Sequence, residues 1–155
     1  MAKEFFVKSD VTFGKDAIQE ISQILKGFGA TNVLVVYDKG VKAVGIADKV
    51  VDAIDTNQFN IFEFDGVIPN PTNEVVEAGY AIAKENNIDA FVAVGGGSSM
   101  DTAKAINVLT SNGGNIMDYE GIGNVPKPVY PLIAIPTTAG TSSEITNVAA
   151  LVDTK

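Results

Sequence analysis

The chain has 155 residues, 46% hydrophobic and 19% charged, the balance of one globular domain large enough to bury a core without covalent staples. It has no cysteine and no histidine, which excludes disulfides, thiolate metal sites and a cysteine nucleophile, and removes the commonest general base; any metal held by this chain alone would need an all-oxygen site. A net charge of −8 with no basic stripe argues against nucleic acid and anionic membrane as partners.

At the N-terminus, Lys3, Glu4 and Lys8 interrupt any signal-peptide core. Short strands are predicted over 4–7 and 11–13. Apolar residues at Ile18, Ile21, Leu25 and Phe28 give a helix over 16–28, stopped by Gly29. The continuous apolar run 33–37 reads as a strand buried on both faces. A helix is predicted over 43–55, a strand over 59–64, and a helix over 71–85 with Pro71 in its first turn. A second fully buried strand covers 90–94, followed by a helix over 100–110. Strand 132–135 is closed by Pro136, and a last strand covers 148–152. The apolar runs are too short to cross a bilayer, and the expected location is the cytoplasm.

Strands and helices alternating at this spacing predict an α/β fold of right-handed β-α-β units around a mostly parallel sheet. Ligands on such sheets bind outside the carboxyl ends of the strands. The segments that follow the buried strands therefore matter most: 38–40, 66–71, 95–101 and 136–144. The glycine- and proline-rich stretch 111–131 is a long connection, of the kind that often carries function.

Gly95-Gly96-Gly97-Ser98-Ser99-Met100-Asp101 joins a buried strand to a helix. Its glycines allow a tight turn and close approach of an anion, and the helix start supplies free N–H groups and a positive dipole end. The ordinary structural reading is a capping box, Ser98-x-x-Asp101. Neither common phosphate fingerprint is present, since Met100 stands where G-x-G-x-x-G needs its last glycine. Asp38 ends the first buried strand, where a carboxylate can accept from a ribose hydroxyl and repel a 2′-phosphate; its ordinary reading is a solvated turn residue. The stretch Pro136-Thr137-Thr138-Ala139-Gly140-Thr141-Ser142-Ser143-Glu144 concentrates hydroxyls beside a glycine, either as a polar contact surface or as a second capping box, Thr141-x-x-Glu144. Pro69-Asn70-Pro71-Thr72 reads as a turn and helix start. Lys104, one turn into its helix, faces either the phosphate site or solvent. Read this far, the residues describe a nucleotide- or phosphate-binding domain with no visible catalytic set.

The text from Val94 to Lys104 (VGGGSSMDTAK) and from Ile135 to Glu144 (IPTTAGTSSE) closely resembles the iron-containing (group III) alcohol dehydrogenases, with Asp38-Lys39-Gly40 and Pro69-Asn70-Pro71-Thr72 in matching places. The resemblance implies a Rossmann-like cofactor domain for NAD, with NADP less favoured, in an enzyme that moves a hydride between an alcohol or aldehyde and nicotinamide. It places Gly96, Gly97, Ser98 and Ser99 on the pyrophosphate and Asp38 on the adenosine ribose. Asn70 and Asp101 fall toward the nicotinamide, and Thr137, Thr138, Thr141 and Ser142 by the adenine and phosphates. Leu151 and Val152 border the adenosine pocket. The family's iron or zinc is held by an aspartate and three histidines of a C-terminal helical domain, and none of those positions exists in this sequence. The expectation is one dinucleotide-binding domain over 1–155, the N-terminal part of a longer two-domain enzyme, inactive alone and open to homo-oligomer formation. The alternatives are a stand-alone dinucleotide-binding module without chemistry, or a domain like that of glycerol dehydrogenase or dehydroquinate synthase.

Overall fold

The computed structural model describes residues 9–154. Its four strands are β1 (Asn32–Asp38), β2 (Asn60–Val67), β3 (Ala90–Gly95) and β4 (Leu132–Pro136). They form one parallel sheet in the order β2-β1-β3-β4. The α-helices are α1 (Ile21–Phe28), α2 (Lys39–Ala43), α3 (Ile46–Asp52), α4 (Asn73–Glu85) and α5 (Gly97–Asn112). The chain leaves β1 toward β2 on one side and later returns past β1 to β3 on the other. The switch point therefore lies between the carboxyl ends of β1 and β3, where open α/β sheets form their ligand crevice.

Period-two alternation builds the core on both sides of the sheet. Leu34 and Val36 of β1, with Phe91 and Ala93 of β3, pack under α4 and α5 beside Val76, Ala83, Met100, Ile106 and Leu109. Val33, Val35 and Tyr37, with Ala90, Val92 and Val94, pack against Ile21, Leu25, Ala47 and Val50 on the opposite face. Every residue of β3 is buried. Helices α4 and α5 touch closely because Gly79 has no side chain: a Cβ there would stand 2.2 Å from Ile106 Cδ1.

The buried strands and their helices follow the sequence reading closely, and Gly29 ends α1 in the left-handed conformation at φ 72°. Five expectations are corrected. The helix over 43–55 is two short helices, because Gly45 turns left-handed at φ 74° between them. Residues 11–13 form no strand; Val11 and Phe13 are exposed and have no strand partner among the described residues. Strand 4–7 lies outside the described residues. Residues 148–152 contribute only one bridge, Thr72 to Val152, secured by Val152 N–H donating to Pro71 O at 2.9 Å and Asn73 N–H donating to Val152 O at 3.2 Å. Pro71 precedes α4 and does not sit in its first turn; Thr72 is the N-cap, accepting from Val75 N–H. Finally, α5 begins at Gly97 with Gly96 as N-cap and no side-chain cap, so Ser98-x-x-Asp101 is not a capping box.

The connection after α5 runs at the opposite end of the sheet from the β1/β3 crevice, since it leads into the start of β4. It is anchored by Asn107, which donates to Tyr130 O at 2.8 Å and accepts from Tyr130 N–H at 3.0 Å.

Candidate functional site

A cleft of about 460 Å3 opens at the switch point, lined by Asp38, Lys39, Gly40, Val67, Ile68, Pro69, Gly96, Gly97, Ser98, Ser99, Thr137 and Thr138. A larger hollow, about 580 Å3, lies beside residues 12–17 and holds none of the sequence motifs. The three loops that build the cleft follow β1, β3 and β4, and each is placed by its strand. Asp38 closes β1 and caps α2, its Oδ1 accepting from Val41 N–H at 2.9 Å; Oδ2 has no hydrogen-bond partner among the described residues, and Asp38 lines the cleft. Gly95 takes φ 145°, a backbone that side-chain-bearing residues rarely adopt. This turn lets α5 start immediately after β3. Because Gly96 lacks a side chain, the β4 loop closes tightly over it: a Cβ there would lie 3.2 Å from Thr138 Oγ1, while Gly97 stands at ordinary contact distance from Thr141. Thr137 N–H, donating to Gly95 O at 2.9 Å, fixes the two loops together.

The first turn of α5 is thus a helix start of sixteen residues with no side chain capping it, its free N–H groups and dipole end available to an anion. One side chain on the cleft lining is polar, buried and unsatisfied: Ser99 Oγ has no hydrogen-bond partner among the described residues.

Of the residues the sequence singled out, Asp38, Gly96, Gly97, Ser98, Ser99, Thr137 and Thr138 converge on this cleft. Thr141 stands directly behind it, beside Gly97, and is engaged with Glu144, donating to Oε2 at 2.9 Å. Ser142 sits next in a left-handed turn at φ 59°. Asn70, also left-handed at φ 52°, is exposed just past the cleft residue Pro69. Leu151 packs against the core beneath α4 and α5, and Val152 is tied to the start of α4.

Asp101 points away from the cleft floor. Its Oδ1 accepts from Ser143 Oγ at 2.6 Å and its Oδ2 from Ala150 N–H at 3.0 Å. Lys104 faces neither the cleft nor open solvent: its Nζ donates to Ser143 Oγ at 2.9 Å and to Val148 O at 2.8 Å. Burial lowers its pKa, and the nearby Asp101 carboxylate opposes that shift. Together these two residues strap segment 143–150 to α5. The sequence reading marked the segments 38–40 and 66–71 but did not assign their residues Lys39, Gly40, Val67, Ile68 and Pro69, all of which wall the cleft.

Among the described residues, no group of three histidine, cysteine, aspartate or glutamate side chains is arranged to hold a metal ion, and no helix is long and apolar enough to cross a membrane.

The sequence pattern of the iron-containing alcohol dehydrogenases matches residues 8–155. The chain belongs to the iron-containing alcohol dehydrogenase family. It is 44% identical over 149 residues to alcohol dehydrogenase 4 of Schizosaccharomyces pombe, covering 96% of this chain and 35% of that protein. The fold superposes on a 1,3-propanediol oxidoreductase with a TM-score of 0.92 at 33% identity, over 99% of this chain and 40% of that one. It also matches the sulfoacetaldehyde reductase of Bifidobacterium kashiwanohense, solved in complex with NAD+, with a TM-score of 0.88 at 34% identity, over 99% and 40% of the two chains. This family member thus spans well under half the length of these relatives, and its Rossmann-like sheet is the part they share with it.

Proposed function

We propose that this chain is a single dinucleotide-binding domain over 1–155, the N-terminal part of a two-domain, NAD-dependent alcohol dehydrogenase. The observation that carries the proposal is the convergence of the Asp38 carboxylate and the uncapped start of α5 on one cleft at the β1/β3 switch point. The pyrophosphate of NAD would take the N–H groups of Gly96, Gly97 and Ser98, with Ser98, Thr137 and Thr138 hydroxyls around it. Asp38 Oδ2 would accept from the adenosine ribose, since Oδ1 is already committed to Val41. Asn70 is assigned to the nicotinamide end, and Asp101 to holding the strap 143–150 against α5. Thr141, Ser142 and Leu151 are assigned to the adenosine side. The bound nicotinamide would supply the hydride chemistry; the residues of this chain bind and orient it.

The family's metal does not fit this chain's own described residues, and its ligands are assigned to a partner domain. Accordingly the chain alone is proposed to bind cofactor without oxidising alcohols. Alcohol-dependent NADH production by the purified chain would overturn that part.

The binding test is a titration with NADH and separately NADPH, followed by nicotinamide fluorescence, which the absence of tryptophan leaves uncluttered. NADH should saturate the site and bind more tightly than NADPH, because the Asp38 carboxylate repels a 2′-phosphate. Asp38→Ser keeps an oxygen to cap α2 and removes the charge. With Lys39 on the same rim, that variant should narrow the preference by roughly tenfold, the worth of one charge contact in a partly desolvated cleft. Unchanged selectivity would remove Asp38 from the site, and binding of neither nucleotide by the folded chain would sink the proposal.

A further inference from the structure

The loop after β4 closes on the glycine turn, yet little holds it there. Thr137 N–H donates to Gly95 O at 2.9 Å, and the next fixed point is Ser143. Between them, residues 138–142 make no hydrogen bond to any described residue outside 138–145. The Thr141 hydroxyl donates to Glu144 and accepts from Ser143 N–H, and Ser142 O accepts from Ile145 N–H. Ser142 is also held left-handed at φ 59°, a conformation that a residue with a side chain keeps only where its surroundings impose it. A loop this poor in outside bonds opens unless both of its ends are fastened.

The far end is fastened from α5. Ser143 is buried, 7% exposed, and its hydroxyl accepts from Lys104 Nζ at 2.9 Å while donating to Asp101 Oδ1 at 2.6 Å. Lys104 Nζ donates as well to Val148 O at 2.8 Å and to Thr146 Oγ1 at 3.4 Å. These three acceptors match the three N–H donors of an ammonium. Lys104 and Asp101 stand 3.7 Å apart with side chains only 16% and 15% exposed. Burying such a pair costs desolvation that the attraction repays poorly, and burial lowers the Lys104 pKa in spite of Asp101 and Glu144. Stability alone gives no reason to bury a cation here. Holding one loop in one geometry does.

We propose that Lys104 is a positioning residue for the dinucleotide: acting through Ser143, it holds loop 138–142 closed over the start of α5. The inference rests on the nucleotide reading of the cleft. It makes the phosphate end of the cleft depend on a cation that does not touch the ligand. Thr138 is the point of action, since it lines the cleft and packs so near Gly96 that a Cβ there would stand 3.2 Å from its hydroxyl. Where the anchor is lost, affinity falls in proportion to the share of molecules whose loop is still in place.

The test uses the full chain with Lys104→Met, Ser143→Ala and the double variant, reading NADH affinity by nicotinamide fluorescence and loop order by amide hydrogen exchange. Lys104→Met keeps the side-chain length and removes the charge and the donors. It should weaken NADH by roughly tenfold and speed exchange of amides 138–142 by at least as much, with β3 amides unchanged. Ser143→Ala keeps the ammonium and removes the link, so it should have the same effects, and the double variant should be no worse than either single one. The sequence has no cysteine, so Lys104→Cys can be alkylated at that one site with 2-bromoethylamine, which rebuilds an ammonium of lysine length. The fully alkylated chain should recover NADH affinity and slow loop exchange, and the unalkylated one should stay weak. Full NADH affinity in Lys104→Met overturns the proposal, and so do losses that add in the double variant. Weak NADH binding with a loop that still exchanges slowly would make Lys104 a distant charge, and faster exchange in β3 as well would make it a residue of the core; either overturns positioning. These outcomes leave the nucleotide cleft standing. A wild type that binds no NADH overturns the cleft assignment itself, and this inference with it.

Discussion

Tyr37, the last buried residue of β1, carries the largest electrostatic consequence of the strand's alternation. Its phenol donates to Glu63 Oε2 on the neighbouring strand, and Lys42 lies 5.6 Å from its ring centroid. Burial first, then the Glu63 hydrogen bond and charge, push its pKa up to about 12. A phenol raised above its ordinary value of about 10 favours the folded state while protonated. That contribution is whole below pH 10 and is lost as pH climbs toward 12. Of the four tyrosines, one should therefore titrate last in an absorbance titration of tyrosinate. Tyr37→Phe should remove that late step and flatten the loss of stability above pH 10. If the late step survives in the variant, the assignment to Tyr37 is wrong. The Lys42 pKa is raised as well, chiefly by its hydrogen bond to Asp48.

Among the elements, α5 does two jobs on two sides. Its first turn floors the cleft, and one turn later Asp101 and Lys104 strap segment 143–150 to its flank. Asp101→Ala removes two hydrogen bonds to a carboxylate, about 2 kcal/mol of local stabilisation. Amide hydrogen exchange across 143–152 should accelerate by roughly tenfold or more, while β3 amides, set by global unfolding, change far less. Uniform acceleration across the sheet would mean that the strap is part of the core and not a separable element. This strap also shows where sequence pattern runs out. Ser98-x-x-Asp101 has the spacing of a cap, but Gly96 starts the helix two residues earlier than a serine cap needs, and that frees Asp101 for a partner 49 residues away. The motif text located the cleft because its glycines and Asp38 are local turn chemistry. It could not show the strap, or the solitary hydroxyl of Ser99, because both depend on residues brought together only by folding. The helix over 43–55 failed for a local reason: apolar periodicity continues through Gly45 although the backbone does not.

For the whole molecule, the legible part was the sheet. Two short, uninterrupted, valine-rich apolar runs read as strands covered on both faces, and the alternation of Leu34 and Val36 against Val33 and Val35 assigns each to its layer. The strand order itself, and hence the switch point that makes Asp38 a neighbour of Gly96, follows from chain crossings that no single segment encodes. The predicted final strand failed because Val148 and Val152 are apolar but exposed. What holds this segment is hydrogen bonding to α4 and α5, not a place in the sheet.

The tie between the start of α4 and residues 152–154 closes the longest span described: Asn73 Oδ1 accepts from Thr154 Oγ1 at 2.9 Å across 81 positions of sequence, and also from its N–H. Closing so large a loop costs entropy before any contact repays it, so this tie belongs late in the folding reaction, after the strands and helices between have assembled. Asn73→Ala should then leave the refolding rate nearly untouched and speed unfolding, the kinetic mark of contacts absent from the transition state; a slowed refolding arm of the chevron would place the tie in the nucleus instead. During synthesis the same order means that α4 is made early but stays unfastened until residues 152–154 leave the ribosome. Throughout that interval its first turn is the open end of the nascent domain, exposed to proteases and chaperones.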